Sequence, residues 1–159
     1  MKSSLLLPNR YKKLGWILFI PMLIISIFVI ATDYQAPWLH AKVFALSSGF
    51  FPEKEPRNFM FVDIELLNTI LGVFFIIGAL LVGFSKEKNE DEFIASIRLN
   101  SLLWAVLVNY LLLIIAFVVI YELPFFTVMT FNMFTVLLLF IFRFHYLLYR
   151  SKASLTNEK

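Results

Sequence analysis

The chain contains no cysteine. That removes disulfides, thiolate metal sites and the dithiol chemistry on which several small four-helix membrane oxidoreductases depend. Only two histidines are present, His40 and His145. No Walker loop, Gly-x-Ser-x-Gly elbow, His-Glu-x-x-His pair or dinucleotide fingerprint occurs, so no reaction class is announced by a motif, and neither a cofactor nor a metal ion is expected. Net charge is small, at +3, and the basic residues sit at the ends of apolar runs rather than in one patch. This excludes nucleic acid as a partner and makes anionic lipid headgroups the expected reason for the basic residues. Internal repeats and low-complexity tracts are also missing.

What is abundant is apolar sequence. Hydrophobic residues make up 60% of the 159, against about 45–50% in soluble domains, and no stretch is left over for a soluble domain. Crossing the hydrocarbon core takes about 20 apolar residues as a helix. Four segments qualify: Leu14 to Ala31, Leu66 to Phe84, Leu102 to Tyr121, and Pro124 to about Leu148. In lipid every backbone group must find its partner within the segment, which selects helix over the strand that Phe, Ile and Val favour in water. Pro21 is tolerable in the first span because neighbouring groups satisfy the freed carbonyl. The expected class is all-α: an integral membrane four-helix bundle with a surface-lying outer loop and an amphipathic cytoplasmic extension of the third helix. It forms a single transmembrane domain over 1–159, with spans at about 14–31, 64–84, 100–121 and 124–148, an outer loop at 32–62 and a cytoplasmic loop at 85–99.

Orientation follows from Lys and Arg beside the spans. Lys2, Arg10, Lys12, Lys13, Lys86, Lys88, Arg98, Arg143, Arg150, Lys152 and Lys159 fall on one side, and only Lys42, Lys54 and Arg57 on the other. Both termini are therefore expected in the cytoplasm, with the bacterial inner membrane as the location. The basic start and Val29-Ile30-Ala31 also resemble a cleavable signal peptide. However, the apolar run of about 17 residues exceeds the usual signal core, and a mostly polar or weakly apolar segment precedes it, so an uncleaved first helix is expected. Cleavage would leave three crossings.

Within the outer loop, PWLHAKVFAL (37–46) opens with a helix-compatible proline, and Ser47-Ser48-Gly49, Pro52 and Pro56 then break it. Trp38, Phe44, Phe50, Phe51, Phe59 and Phe61 predict that the loop lies on the membrane surface. Asp63 and Glu65 match an N-cap and first-turn carboxylate of the second span, with a metal or proton site shared with His40 as the alternative. On the cytoplasmic side, Asn89 as cap and Glu90, Asp91 and Glu92 in the first turn predict one long third helix from about Asn89 to Tyr121. Its first two turns then project into or along the interface, with Phe93, Ile94 and Ile97 as an apolar edge.

Small and polar residues inside spans mark packing faces. At helical periodicity Glu65, Asn68, Gly72, Ala79 and Gly83 form one stripe of the second helix. Asp91, Arg98, Ala105, Asn109 and Ala116 share a side of the third, and Asn132, Thr135, Arg143, Tyr146 and Arg150 a side of the fourth. The helix-packing small residues are thus Gly72, Ala79, Gly83, Ala105 and Ala116, and the candidate intramembrane polar contacts are Asn68, Asn109, Asn132 and Thr135. Asn109 lies about 18 Å and Asn132 about 12 Å below the outer ends of their helices, so they are placed to meet directly or through a water. The expected role is packing glue; the alternative is a polar pathway for an ion or substrate.

Asp91, Glu92, Arg98, Asn100, Arg143 and His145 form a candidate cytoplasmic-interface cluster. Arg143 is expected to snorkel or to pair with Asp91 or Glu92, or else to join Arg98 and His145 in a headgroup or ligand site. Glu92, Arg98 and Asn100 are loosely similar to the charge and amide cluster of small four-helix glutathione- and lipid-modifying membrane enzymes, whose fuller Arg-Ala-His-x-Asn pattern is absent. Over Lys86 to Tyr149 the order of features resembles a group of short four-helix bacterial inner-membrane proteins. These features are an SKEK turn, DEF-x-x-x-IRL-x-SL-x-W, Asn109-Tyr110, FNMFT and FRFHYLLYR. The resemblance covers the C-terminal half best and the outer loop least; it implies lineage and location, not chemistry, and weakly a sensing or accessory role. The expected partners are the lipid bilayer and a membrane protein or second copy of the chain. The expected function is a non-enzymatic accessory or sensory component, with a small transporter or channel subunit and a lipid-modifying enzyme as alternatives.

Overall fold

The computed structural model describes residues 6–32, 34–48, 57–88 and 90–157. Four helices, α1 (Arg10–Thr32), α2 (Leu66–Phe84), α3 (Glu92–Val119) and α4 (Leu123–Asn157), enclose in sequence a pair of strands, β1 (His40–Ser48) and β2 (Arg57–Glu65). All four helices are long and apolar enough to cross a membrane. Most of their large apolar side chains are exposed, Ile17 at 73% and Val118 at 66% among them. That pattern would be costly in water and is the ordinary one where lipid is the solvent.

Two compact units can be described. In the first, Met1–Phe19 with Ile76–Lys159, α3 and α4 are joined by a tight connection. Ile120 caps α3, its N–H donating to the Ala116 carbonyl at 2.8 Å. Glu122 takes a left-handed φ of 59° and accepts from Phe125 N–H, and Phe117 meets Phe125 at 4.4 Å. The buried stripe of α3 is Arg98, Ser101, Ala105, Asn109 and Ala116, steps of three, four, four and seven residues that keep one face on α4. In α4 the buried side chains are Phe140, Ile141, Phe144 and Leu148. The stripe expected through Tyr146 and Arg150 is corrected, since both are exposed. Rings rather than polar groups fill this interior: Phe84 meets Phe140 at a tilt (5.7 Å), and Phe140 stacks on Phe144 (6.0 Å).

Where α1 and α2 approach in this unit, glycine is required. A Cβ on Gly15 would come within 2.9 Å of the Val82 backbone nitrogen, and one on Gly78 within 2.9 Å of the Phe19 nitrogen. Gly83 faces the edge of Phe140. The buried face of α2 is Leu71, Phe75, Gly78, Ala79, Val82 and Gly83. This corrects the expected stripe at its outer half: Gly72 is half-buried and Asn68 exposed, because the face turns toward Leu71 and Phe75.

The second unit, Ile20–Phe75, holds an antiparallel hairpin in register from His40 opposite Glu65 to Ser48 opposite Arg57. A loop or helix over 37–46 is thereby corrected. The segment alternates exposed His40, Lys42, Phe44 and Leu46 with half-buried Ala41, Val43 and Ala45, a period of two that the proline signal masked. Phe44 packs on Phe61 at 5.7 Å and on Phe59 at 6.5 Å. β2 runs into α2 without a spacer, so α2 begins at Leu66 and Asp63 and Glu65 are strand residues rather than a helix cap. Glu65 instead accepts from Ala36 N–H at 2.6 Å, and Asp63 faces His40 at 3.6 Å. Among the described residues no three His, Asp or Glu side chains are grouped to hold a metal ion. Gly49, Phe50, Phe51, Pro52 and Pro56 lie outside the described residues, as do Lys2, Lys54 and Lys159.

Candidate functional site

The segment between α2 and α3 gathers the charges of the first unit. Asp91 caps α3, its carboxylate accepting from Ile94 N–H at 2.8 Å. This satisfies one of the orphan donors of the first turn. The helix therefore starts at Glu92, later than the expected Asn89, and Asn89 itself lies outside the described residues. Starting late frees Glu90 to turn back. Its carboxylate grips the Arg98 guanidinium end-on, Oε1 to Nη1 at 2.9 Å and Oε2 accepting from Nη2 at 3.1 Å, and Oε2 also accepts from the Glu87 N–H at 2.8 Å. Nη2 donates to the Ser85 carbonyl as well, at 3.2 Å, and the guanidinium lies 5.0 Å above the Phe144 ring.

Arg98 is only 7% exposed. A desolvated charge of this kind is tolerable only beside its opposite partner; Glu90 supplies that charge, and Nη2 makes the hydrogen bonds, to Glu90 and to the Ser85 carbonyl. The same segment clasps the chain ahead of α1. Leu7 N–H donates to the Phe84 carbonyl at 3.0 Å, and Lys86 N–H to the Leu7 carbonyl at 2.8 Å. Asn9 donates to the Lys86 carbonyl, and Lys12 pairs with Glu87. His145 completes the cluster. Its ring sits edge-on to Trp16 (5.0 Å) and to Phe144 (5.2 Å), and Nδ1 contacts the Ile141 carbonyl at 2.9 Å, which assigns the proton to Nδ1.

The expected cluster is thus only partly assembled. Arg98 and His145 both pack on Phe144, whereas Asp91, Glu92 and Asn100 are exposed. Arg143 meets neither Asp91 nor Glu92. Its guanidinium stacks on the Trp104 ring at 4.3 Å, and among the described residues no carboxylate lies within ion-pair distance of it. Asp91 is committed to the cap, which removes it as a partner. Arg98 Nε and Nη1, Glu90 Oε1, Ser85 Oγ, Arg143 Nε and His145 Nε2 are buried without a hydrogen-bond partner in the described residues, so the Nη1–Oε1 approach is an ion-pair contact without hydrogen-bond geometry.

Farther along α3 and α4, Asn109 and Asn132 bond reciprocally, each amide nitrogen donating to the other's oxygen at 3.1 Å. Thr135 does not join them; its hydroxyl donates to its own helix at the Phe131 carbonyl, the usual outlet for a threonine in a helix. Asn68 is exposed on α2. Beside the asparagine pair opens a groove of about 180 Å³ lined by Leu112, Leu113, Val128, Phe131, Asn132 and Thr135.

Sequence reasoning missed the role of Glu90, and also Ser85, Lys12, Glu87, Trp16 and Trp104. Continuing the helix back to Asn89 set Glu90 and Arg98 more than two turns apart on one rod, where they cannot meet. A cap at Asp91, three residues before Ile94, was the signal that would have released Glu90. Comparison of the chain with family models, with curated proteins and with solved structures gives no match.

Proposed function

We propose that this chain is a non-enzymatic accessory or sensory component of an assembly in the bacterial inner membrane, crossing it four times with both termini in the cytoplasm. The observation that carries this is the clasp at residues 84–90. It joins the segment before α1, the end of α2, Arg98 on α3 and, through Phe144 stacked under Arg98, α4. A displacement of any one of these elements is felt by the others, because each charge is held by another element's charge or backbone. α4 supports the same reading: at about 1.5 Å per residue its 35 residues reach about 52 Å, well beyond a hydrocarbon core of about 30 Å. The excess is available to a partner. Gentle purification from native membranes in several mild detergents is the test. Co-purification of a defined partner is expected, and recovery of the chain alone under every condition counts against the proposal.

The groove beside Asn132 favours one second reading, a small transporter or channel subunit with its polar centre at Asn109 and Asn132. The reciprocal bonding weighs toward glue, since each side chain already spends a donor and an acceptor on the other. Replacing both with Leu separates the two. A conduit loses transport while folding holds; glue leaves function intact or weakens the fold.

A further inference from the structure

Three cations of the first unit are withdrawn from solvent among the described residues: Lys12, Arg98 and Arg143. Two have carboxylates, Glu87 and Glu90. Arg143 has a ring. A guanidinium on an aromatic face is partly stabilised by the ring quadrupole but keeps its full charge, and its edge donors still need acceptors. Nε is buried without an acceptor in the described residues in both Arg143 and Arg98; what Arg143 alone of the three cations lacks is a carboxylate within ion-pair distance. The charge is thus positioned and left uncompensated.

Its depth follows from the helices. Arg143 lies about 30 Å along α4 from Leu123, and Trp104 about 22 Å along α3 from Val119. Side chains lean toward the N-terminus of their own helix, so Arg143 leans back toward the α3–α4 connection while Trp104, on the antiparallel neighbour, leans the other way. They meet between the two levels, about 26 Å from the connected ends. With a hydrocarbon core of about 30 Å, that is the boundary where phospholipid phosphates begin. Asn100, one turn from Trp104 toward that boundary, and Arg150, two turns beyond Arg143, are both exposed and add donors there. Trp104 is 37% exposed, so the ring also presents an apolar face to acyl chains.

We propose that Arg143, stacked on Trp104, binds the phosphate of an anionic phospholipid, with Asn100 and Arg150 as flanking donors. Planar guanidinium donors suit a phosphate, and a negatively charged headgroup supplies the counter-charge that Arg98 obtains from Glu90. The inference rests on the four-span reading and is independent of any accessory role.

The test reconstitutes the full chain in nanodiscs of phosphatidylcholine alone and of phosphatidylcholine with phosphatidylglycerol, measuring thermal unfolding and, by native mass spectrometry, the lipid retained. Wild type is expected to unfold at higher temperature in the phosphatidylglycerol discs and to retain that lipid selectively. Arg143→Gln should lower the selectivity about five-fold, one surface cation's contribution to binding anionic lipid, and Arg143→Lys should recover part of it. Trp104→Leu should also lower selectivity. A structural role alone would lower the unfolding temperature of Arg143→Gln equally in both discs with selectivity unchanged, and that result overturns the proposal. So does stabilisation of the protein in phosphatidylcholine by millimolar inorganic phosphate to the same extent, which would make the site one for free phosphate.

Discussion

Arg98 and Arg143 sit on neighbouring helices, yet Arg98 is held by the two oxygens of Glu90 and Arg143 by the face of Trp104. In the first the charge is compensated within the chain, with Arg98 over the Phe144 ring as well and almost wholly buried. The second leaves a half-buried charge with no carboxylate within ion-pair distance among the described residues. Two arginines at similar depth can thus serve different ends: one locks the segment between α2 and α3 onto the helices, and the other is held ready for something outside the chain.

The comparison breaks most sharply if Arg98 is removed alone. Arg98→Leu leaves Glu90 as an uncompensated, largely buried carboxylate and should cost about 3–5 kcal/mol in unfolding in detergent. Combining it with Glu90→Leu should recover most of that; a double variant as unstable as the single one would show that the pair is not coupled. Close packing is the rival explanation for what holds these helix ends, and the glycines test it. Gly15→Ala and Gly78→Ala press a Cβ onto backbone atoms, and each should cost about 1–3 kcal/mol. Gly83→Ala brings its Cβ to 2.6 Å from Cε1 of the fully buried Phe140 ring and should cost as much; a loss well below the other two would show that this ring, unlike backbone, can move aside. The smallest effect is expected from Arg143→Leu in neutral lipid. About 1 kcal/mol is lost with the cation–π contact, and no carboxylate is stranded.

Much of this was legible in the sequence, for physical reasons that also mark where it stopped. The four helices follow from apolar runs, because lipid leaves the backbone no alternative. Arg98, Ala105, Asn109 and Ala116 lie on one buried face as helical periodicity alone places them. Asn109 meets Asn132 because the tight α3–α4 connection fixes their depths. The hairpin was hidden by reading Pro37 as a helix start and overlooking the alternation around Phe44. The extent of α4 past Leu148 was hidden because hydropathy falls where the helix leaves lipid, while its hydrogen bonding continues. At the charged end, the cap decided the pairing. With Asp91 rather than Asn89 ending the loop, Glu90 belongs to the loop and reaches Arg98; read as first-turn residues, Glu90 to Glu92 were spent on the helix dipole. Trp104 was read only as part of an apolar run, since a cation–π partner on another helix leaves no spacing signal.

Sidedness is the part of the proposal most open to direct test, since the proposed orientation sets both the clasp at 84–90 and the Arg143 site at the cytoplasmic boundary. The absence of native cysteine allows a direct measurement. Ser48→Cys and Lys88→Cys, each in the full chain, are treated in intact cells with a membrane-impermeant maleimide, before and after permeabilisation. The account predicts that Ser48→Cys reacts in intact cells and Lys88→Cys only after permeabilisation. Labelling of both from the same side would contradict it.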